Sequence, residues 1–240
     1  NGQTVQSYGG GVCQVSTTLY NAVLKAELEV TQRSNHSMIV TYVKPSMDAA
    51  IAGDYKDLKF VNNLDAPIYI EGYTVGKDIY FNIYGQETRP SNRKVTYESE
   101  VVSEEDPGTQ FVATGDAIGS ISTTQGKHMG YVARLWKIVT VDGVEQSRDA
   151  INKSTYKSSP KIVNVGTASA DPNAVAAVNA AVATGDEATI YATVAQYSGA
   201  GQTPSEAPAE APTDSSAEAA AIIGTVDESQ ITGNTTTEGQ

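Results

Sequence analysis

The chain has 240 residues, of which 40% are hydrophobic and 18% charged, enough for one or two ordinary domains. Its formal net charge of −12 is concentrated at one end: residues 1–99 carry 9 basic and 10 acidic side chains, residues 100–167 carry 7 and 8, and residues 168–240 carry 10 acids and no base. The rest of the surface is close to neutral. No basic patch invites nucleic acid, a base-free tail does not suit an anionic membrane, and no run of 18 apolar residues provides a membrane span.

In chain order, Asn1-Gly2-Gln3 reads as the interior of a longer, N-terminally truncated protein, so a missing leader says little about compartment. Gly9-Gly10-Gly11 precede Cys13, the single cysteine. Val15, Leu19, Ala22, Val23 and Ala26 recur at helical spacing and predict a helix with Cys13 at its start. Residues 30–33 and 38–43 read as strands, the second ended by Lys44-Pro45, and residues 58–63 as a third. Residues 66–85 predict a hairpin turning at Gly76-Lys77, with Ile68, Ile70, Ile79, Phe81 and Ile83 facing inward. A turn-rich, charged stretch at 85–94 marks a boundary. Beyond it the pattern is all β, with a hairpin at 131–151 turning at Asp142-Gly143 and glycines punctuating a thin, extended sheet. Residues 174–198 suggest a helix or two, weakly packed, and the Pro-, Ala- and acid-rich sequence after about residue 200 predicts no stable packing.

The fold class is α+β. A mixed α/β unit (residues 1–86), its Cys-bearing helix packed on antiparallel strands, precedes a separate, elongated β module (95–167) and a mostly disordered tail (168–240).

The glycine run and helix start give Cys13 its chemistry. Unpaired N–H groups and the helix dipole at an N-terminus favour a thiolate. Gly10 and Gly11 let a substrate approach the backbone, and the amides of Val12, Cys13 and Gln14 suit an oxyanion. Gln14, Ser16 and Thr17 add polar side chains in the first turn. A cysteine nucleophile needs a base. His36 starts a strand after the helix, with Asn35, Asp48, Asp54 and Asp57 available to orient it, whereas His128 reads as a solvated loop residue. The alternative is that Cys13 is a small buried hydrophobe. One Cys and one nearby His fall short of a metal site, the glycines lack a phosphate-loop pattern, and no cofactor is expected.

The string GGGVCQVSTTLYNAVLKAELEVTQRSNHS, followed by TYVKPSMDAAI, DLKFVNN and PIYIEGY, closely resembles the VanW-type domain over residues 1 to about 85. GDAIGS, VARLWKIVTVDGVEQSR and YKSSPKIVNVGT resemble the glycine-marked G-five surface domain. The resemblance implies an extracellular cell-envelope protein of a Gram-positive bacterium, related to those of vancomycin-resistance clusters. It implies peptidoglycan stem peptides or wall glycan as partners. It further implies cysteine-dependent L,D-transpeptidation, with Cys13 as nucleophile, His36 as general base and Asp48 as orienter. A second reading is a non-catalytic envelope module that binds peptidoglycan or glycan through both domains.

Overall fold

A computed structural model describes residues 10–199. Gly9 and the expectation for the tail past residue 200 lie outside the described residues. Helix α1 (Val12–Lys25) follows Gly11, whose φ of 91° is a conformation that costs glycine little. Its buried face is Ser16, Thr17, Tyr20, Val23 and Leu24. This is rotated from the apolar stripe that periodicity predicts, and Val15 stays 40% exposed. The rotation follows from two hydroxyls being hydrogen-bonded inward.

Strand β1 (Glu29–Gln32) pairs antiparallel with β2 (Lys59–Val61). The intervening residues 33–58 are irregular, so the strand expected at 38–43 is absent. Its β-rich composition is overridden because isolated bonds to the later module hold this loop, not a neighbouring strand. Ser37 O accepts from Lys157 N–H, and Pro45 O accepts from the Ser99 hydroxyl. Strands β3 (Tyr69–Val75) and β4 (Asp78–Tyr84) form the expected hairpin, with Gly76 at φ 63° in the turn, but Ile70, expected inward, is exposed. Helix α1 lies against β4.

Two three-stranded sheets follow. Strands β5 (Arg93–Glu105), β8 (Gly130–Val141) and β9 (Val144–Tyr156) are antiparallel in the order β5-β8-β9. Asp142 and Gly143, at φ 54° and 80°, form the β8–β9 turn. In the other sheet, β10 (Lys161–Ala168) runs parallel to β6 (Thr109–Ala117) and antiparallel to β7 (Ile121–Gln125). His128 is not a free loop residue: it is half-buried and exchanges two backbone hydrogen bonds with Ser159.

Helices α2 (Pro172–Thr184) and α3 (Glu187–Tyr197) are those expected at 174–198, but they are firmly packed and not part of a disordered tail. Asp171 and Asp186 cap their N-termini. Val178 and Ile190 are fully buried in one core with Val163 and Val165 of β10. Alanine and valine at helical spacing supply this apolar face despite the acidic, low-complexity composition around it.

The second core crosses the expected boundary. Tyr20, Leu24 and Ala49 are buried together with Leu135 of β8, and Tyr97 of β5 packs against them. The Tyr97 hydroxyl donates to Leu24 O, the last-turn carbonyl of α1. The β5-β8-β9 sheet is therefore the floor on which α1 rests, and the module is not separate.

Candidate functional site

Cys13 is the second residue of α1 and is half-buried. Gly10 and Gly11 are exposed, and Gly11 provides no side-chain cap for the amides that follow it. The Cys13 thiol lies 3.6 Å from the carbonyl of Ile51, to which it donates. Ser16 Oγ donates to Ala49 O at 2.6 Å, and Thr17 Oγ1 accepts from Ala49 N–H at 3.0 Å. Asn21 Nδ2 donates to Met47 O. The first turns of α1 are thus stitched to segment 47–51. Ser16 and Thr17 hold this segment in place of the ligand contact expected of them, since both are buried with their hydroxyls in use.

Asp48 lies in the stitched segment, and its side chain has no exposed surface. Each carboxylate oxygen has two donors. Oδ1 accepts from Arg33 Nη2 at 2.7 Å and from the Tyr156 hydroxyl at 2.5 Å. Oδ2 accepts from the His36 backbone N–H and faces its Nδ1, both at 2.7 Å. Burial alone would raise the pKa of Asp48. The bonds from His36 and Tyr156, with the Arg33 charge, outweigh it and hold the carboxyl below its ordinary value. Burial and the Asp48 carboxylate push Tyr156 up to about 12, so its hydroxyl keeps its proton and donates.

Arg33 is equally enclosed. Nε donates to Asp48 O at 2.6 Å and Nη1 to Ser154 Oγ at 2.8 Å. Ser46 completes the frame in a left-handed conformation, φ 66°, rare for a residue with a side chain. Its N–H donates to the Tyr156 hydroxyl and its Oγ to Ser154 Oγ. Strand β9, far along the chain, therefore supplies Ser154 and Tyr156 to a cluster otherwise built from residues 33–48.

The structure brings His36 and Asp48 into direct contact. Cys13 joins the same 48–51 strip through Ile51 O, while on the far side of the imidazole the Tyr42 hydroxyl lies 3.4 Å from Nε2. Arg33, Tyr42, Ser154 and Tyr156 were missed by sequence reasoning. Arg33 stands three residues before His36 and was open to suspicion as a partner for Asp48, but nothing local marks Ser154 or Tyr156. The His36 ring is thus held between the Asp48 carboxylate at Nδ1 and the Tyr42 hydroxyl at Nε2. Among the described residues, no three His, Cys, Asp or Glu side chains converge on a possible metal ion. No described helix is long and apolar enough to cross a membrane. Residues 33–37, Lys56, Thr155 and Lys157 line an open cavity of about 340 Å³ with His36 in its wall.

Residues 1–84 match a family model described as VanW like protein, and residues 87–168 match the G5 domain. An uncharacterized Bacillus subtilis (strain 168) protein, YoaR, is 37% identical over 86 residues. That match spans 36% of this chain and only 28% of the relative. Among solved structures, an IgA1 protease G5 domain is 26% identical and covers 32% of this chain and 94% of its own, with a TM-score of 0.24. HP0197-G5 is 20% identical over 30% of this chain and 99% of its own, with a TM-score of 0.17.

Proposed function

Given that this is a VanW-type protein, a VanW-like domain followed by a G5 domain, and thus of cell-envelope type, we propose that it is a cysteine acyltransferase acting on peptidoglycan stem peptides outside the cell. The observation that carries this reading is the enclosed His36–Asp48 pair beside the segment that meets the Cys13 helix turn. A carboxylate on Nδ1 fixes the imidazole so that Nε2 is the basic nitrogen.

Cys13 is the nucleophile, His36 the general base and Asp48 the orienter. The Cys13 thiol gives its proton to His36, and its sulfur attacks a stem-peptide carbonyl. The C–N bond breaks, and the leaving amine takes the proton back from His36. A thioester remains, and an amine of a neighbouring stem attacks it, forming the cross-link and restoring the thiol. Amides after Gly10 and Gly11, with Gln14, stabilise the oxyanion. The G5 domain adds a glycan-adhesive surface.

The thiol bond to Ile51 O favours a second reading, a non-catalytic envelope-binding protein in which Cys13 is only a packed side chain. Alkylation by iodoacetamide between pH 5 and 9 separates the two. In the enzyme reading, His36→Ala slows alkylation of Cys13 at neutral pH by at least about tenfold, and Cys13→Ser abolishes new stem cross-links. Equal alkylation profiles and undiminished cross-linking establish the binding reading.

A further inference from the structure

The cavity beside His36 has a distinct charge. Arg33 is at its back, but Asp48 neutralises that guanidinium at 2.7 Å. Two ammonium groups remain. Lys56 Nζ is held in place by Asn35 O at 2.7 Å and Ser37 Oγ at 3.3 Å, which leaves a third N–H unused. Lys157 is exposed, and its ammonium has no carboxylate within ion-pair distance among the described residues, while its backbone N–H is fixed on Ser37 O. No acidic side chain lines the cavity.

Ser34, Ser37 and Thr155 provide hydroxyls, and Asn35 spans the two domains through Nδ2 to Thr155 O. The result is a small, open polar cavity with two cations on opposite domains and a positioned imidazole in its wall. Its volume of about 340 Å³ holds one or two amino-acid residues.

We propose that this cavity binds the free terminal carboxylate of a peptide, held between the Lys56 and Lys157 ammonium groups. A carboxylate exchanges bonds to water for charge-assisted bonds to both, and neither lysine must first release an acidic partner. A carboxylate seated here puts the terminal peptide carbonyl one residue away, within about 3.5 Å of chain. The assignment of that carbonyl as the reacting one rests on the acyl-transfer reading; the binding itself does not.

The test uses the full chain carrying Cys13→Ser, so that no chemistry intervenes. The probes are acetyl-Lys-D-Ala as the free acid, the same peptide as its C-terminal amide, and inorganic phosphate, each titrated while the ring resonances of the two histidines are followed by NMR. The free acid is expected to shift His36 and leave His128 unmoved, and to bind at least about tenfold more tightly than the amide. Lys157→Gln, whose side chain has no hydrogen bond or ion pair among the described residues, weakens the acid about fivefold and leaves the amide unchanged. Lys56→Gln does the same with a larger effect.

Equal binding of acid and amide, or a His36 ring that neither moves, overturns the proposal. So does phosphate binding as tightly as the acid with the same dependence on both lysines, since the cavity is then an unselective anion site. Failure of the alkylation test with success here removes the enzyme reading and keeps the carboxylate site; the reverse result removes the site alone.

Discussion

Asp48 has four donors on two oxygens, and deleting any one has a definite consequence. Tyr156→Phe removes one donor from Asp48 and the acceptor of the Ser46 N–H. The loss should be about 1–3 kcal/mol by urea unfolding. Because the folded carboxyl titrates below its ordinary value, its stabilisation is present at neutral pH and disappears as pH falls through the folded pKa. With Tyr156→Phe the folded value rises, so acid unfolding should begin at higher pH than in wild type. Asp48→Ala should cost more, about 3–5 kcal/mol, since it leaves the Arg33 guanidinium, only 6% exposed, without its counter-charge. An Asp48→Ala variant as stable as wild type would show that the charges are not enclosed in solution.

At the scale of elements, the C-terminal end of α1 is bound to the second domain by charge. Glu27, in a left-handed conformation just past the helix, meets Arg93 at 2.5 Å, Lys137 at 2.6 Å and Arg89 at 3.2 Å. Arg93 chiefly, against partial burial and with help from Lys137 and Arg89, lowers its pKa from 4.5 to about 2. That stabilisation is present above about pH 4.5 and is lost as pH falls towards 2. Glu27→Gln should therefore lower the melting temperature at pH 7 and have a much smaller effect at pH 2, where the carboxyl is about half protonated. The hairpins at Gly76-Lys77 and Asp142-Gly143 were legible because a two-residue turn writes its own backbone requirement into adjacent letters. Of the candidate site, the contact between His36 and Asp48 was legible because the two stand twelve residues apart in one loop. Ser154 and Tyr156 were not, because their role comes from sheet register and not from their neighbours in sequence. Residues 38–43 misled because strand composition carries no information on whether a partner strand is available.

For the whole molecule, two family domains share one core and one buried polar cluster. Leu135→Ala should cost about 2–5 kcal/mol and lower the melting of both domains together, in a single calorimetric transition. Residues 1–86 alone should lack a dispersed amide NMR spectrum, because Tyr20, Leu24 and Asp48 lose their cover; a well-dispersed spectrum would show that the first domain needs no floor. The bonds from β9 also bear on time. Ser46 and Ser154 are 108 residues apart, and Tyr20 and Asn152 are 132 apart. At roughly 5–20 residues per second, a ribosome needs on the order of 5–20 s to add the intervening hundred or so residues. Throughout that interval the emerging chain already carries Arg33, Ser46 and Asp48, but not the β9 hydroxyls that hold them. The growing polypeptide emerges with its buried polar cluster unfinished, and the closing of that cluster waits on the arrival of residue 156.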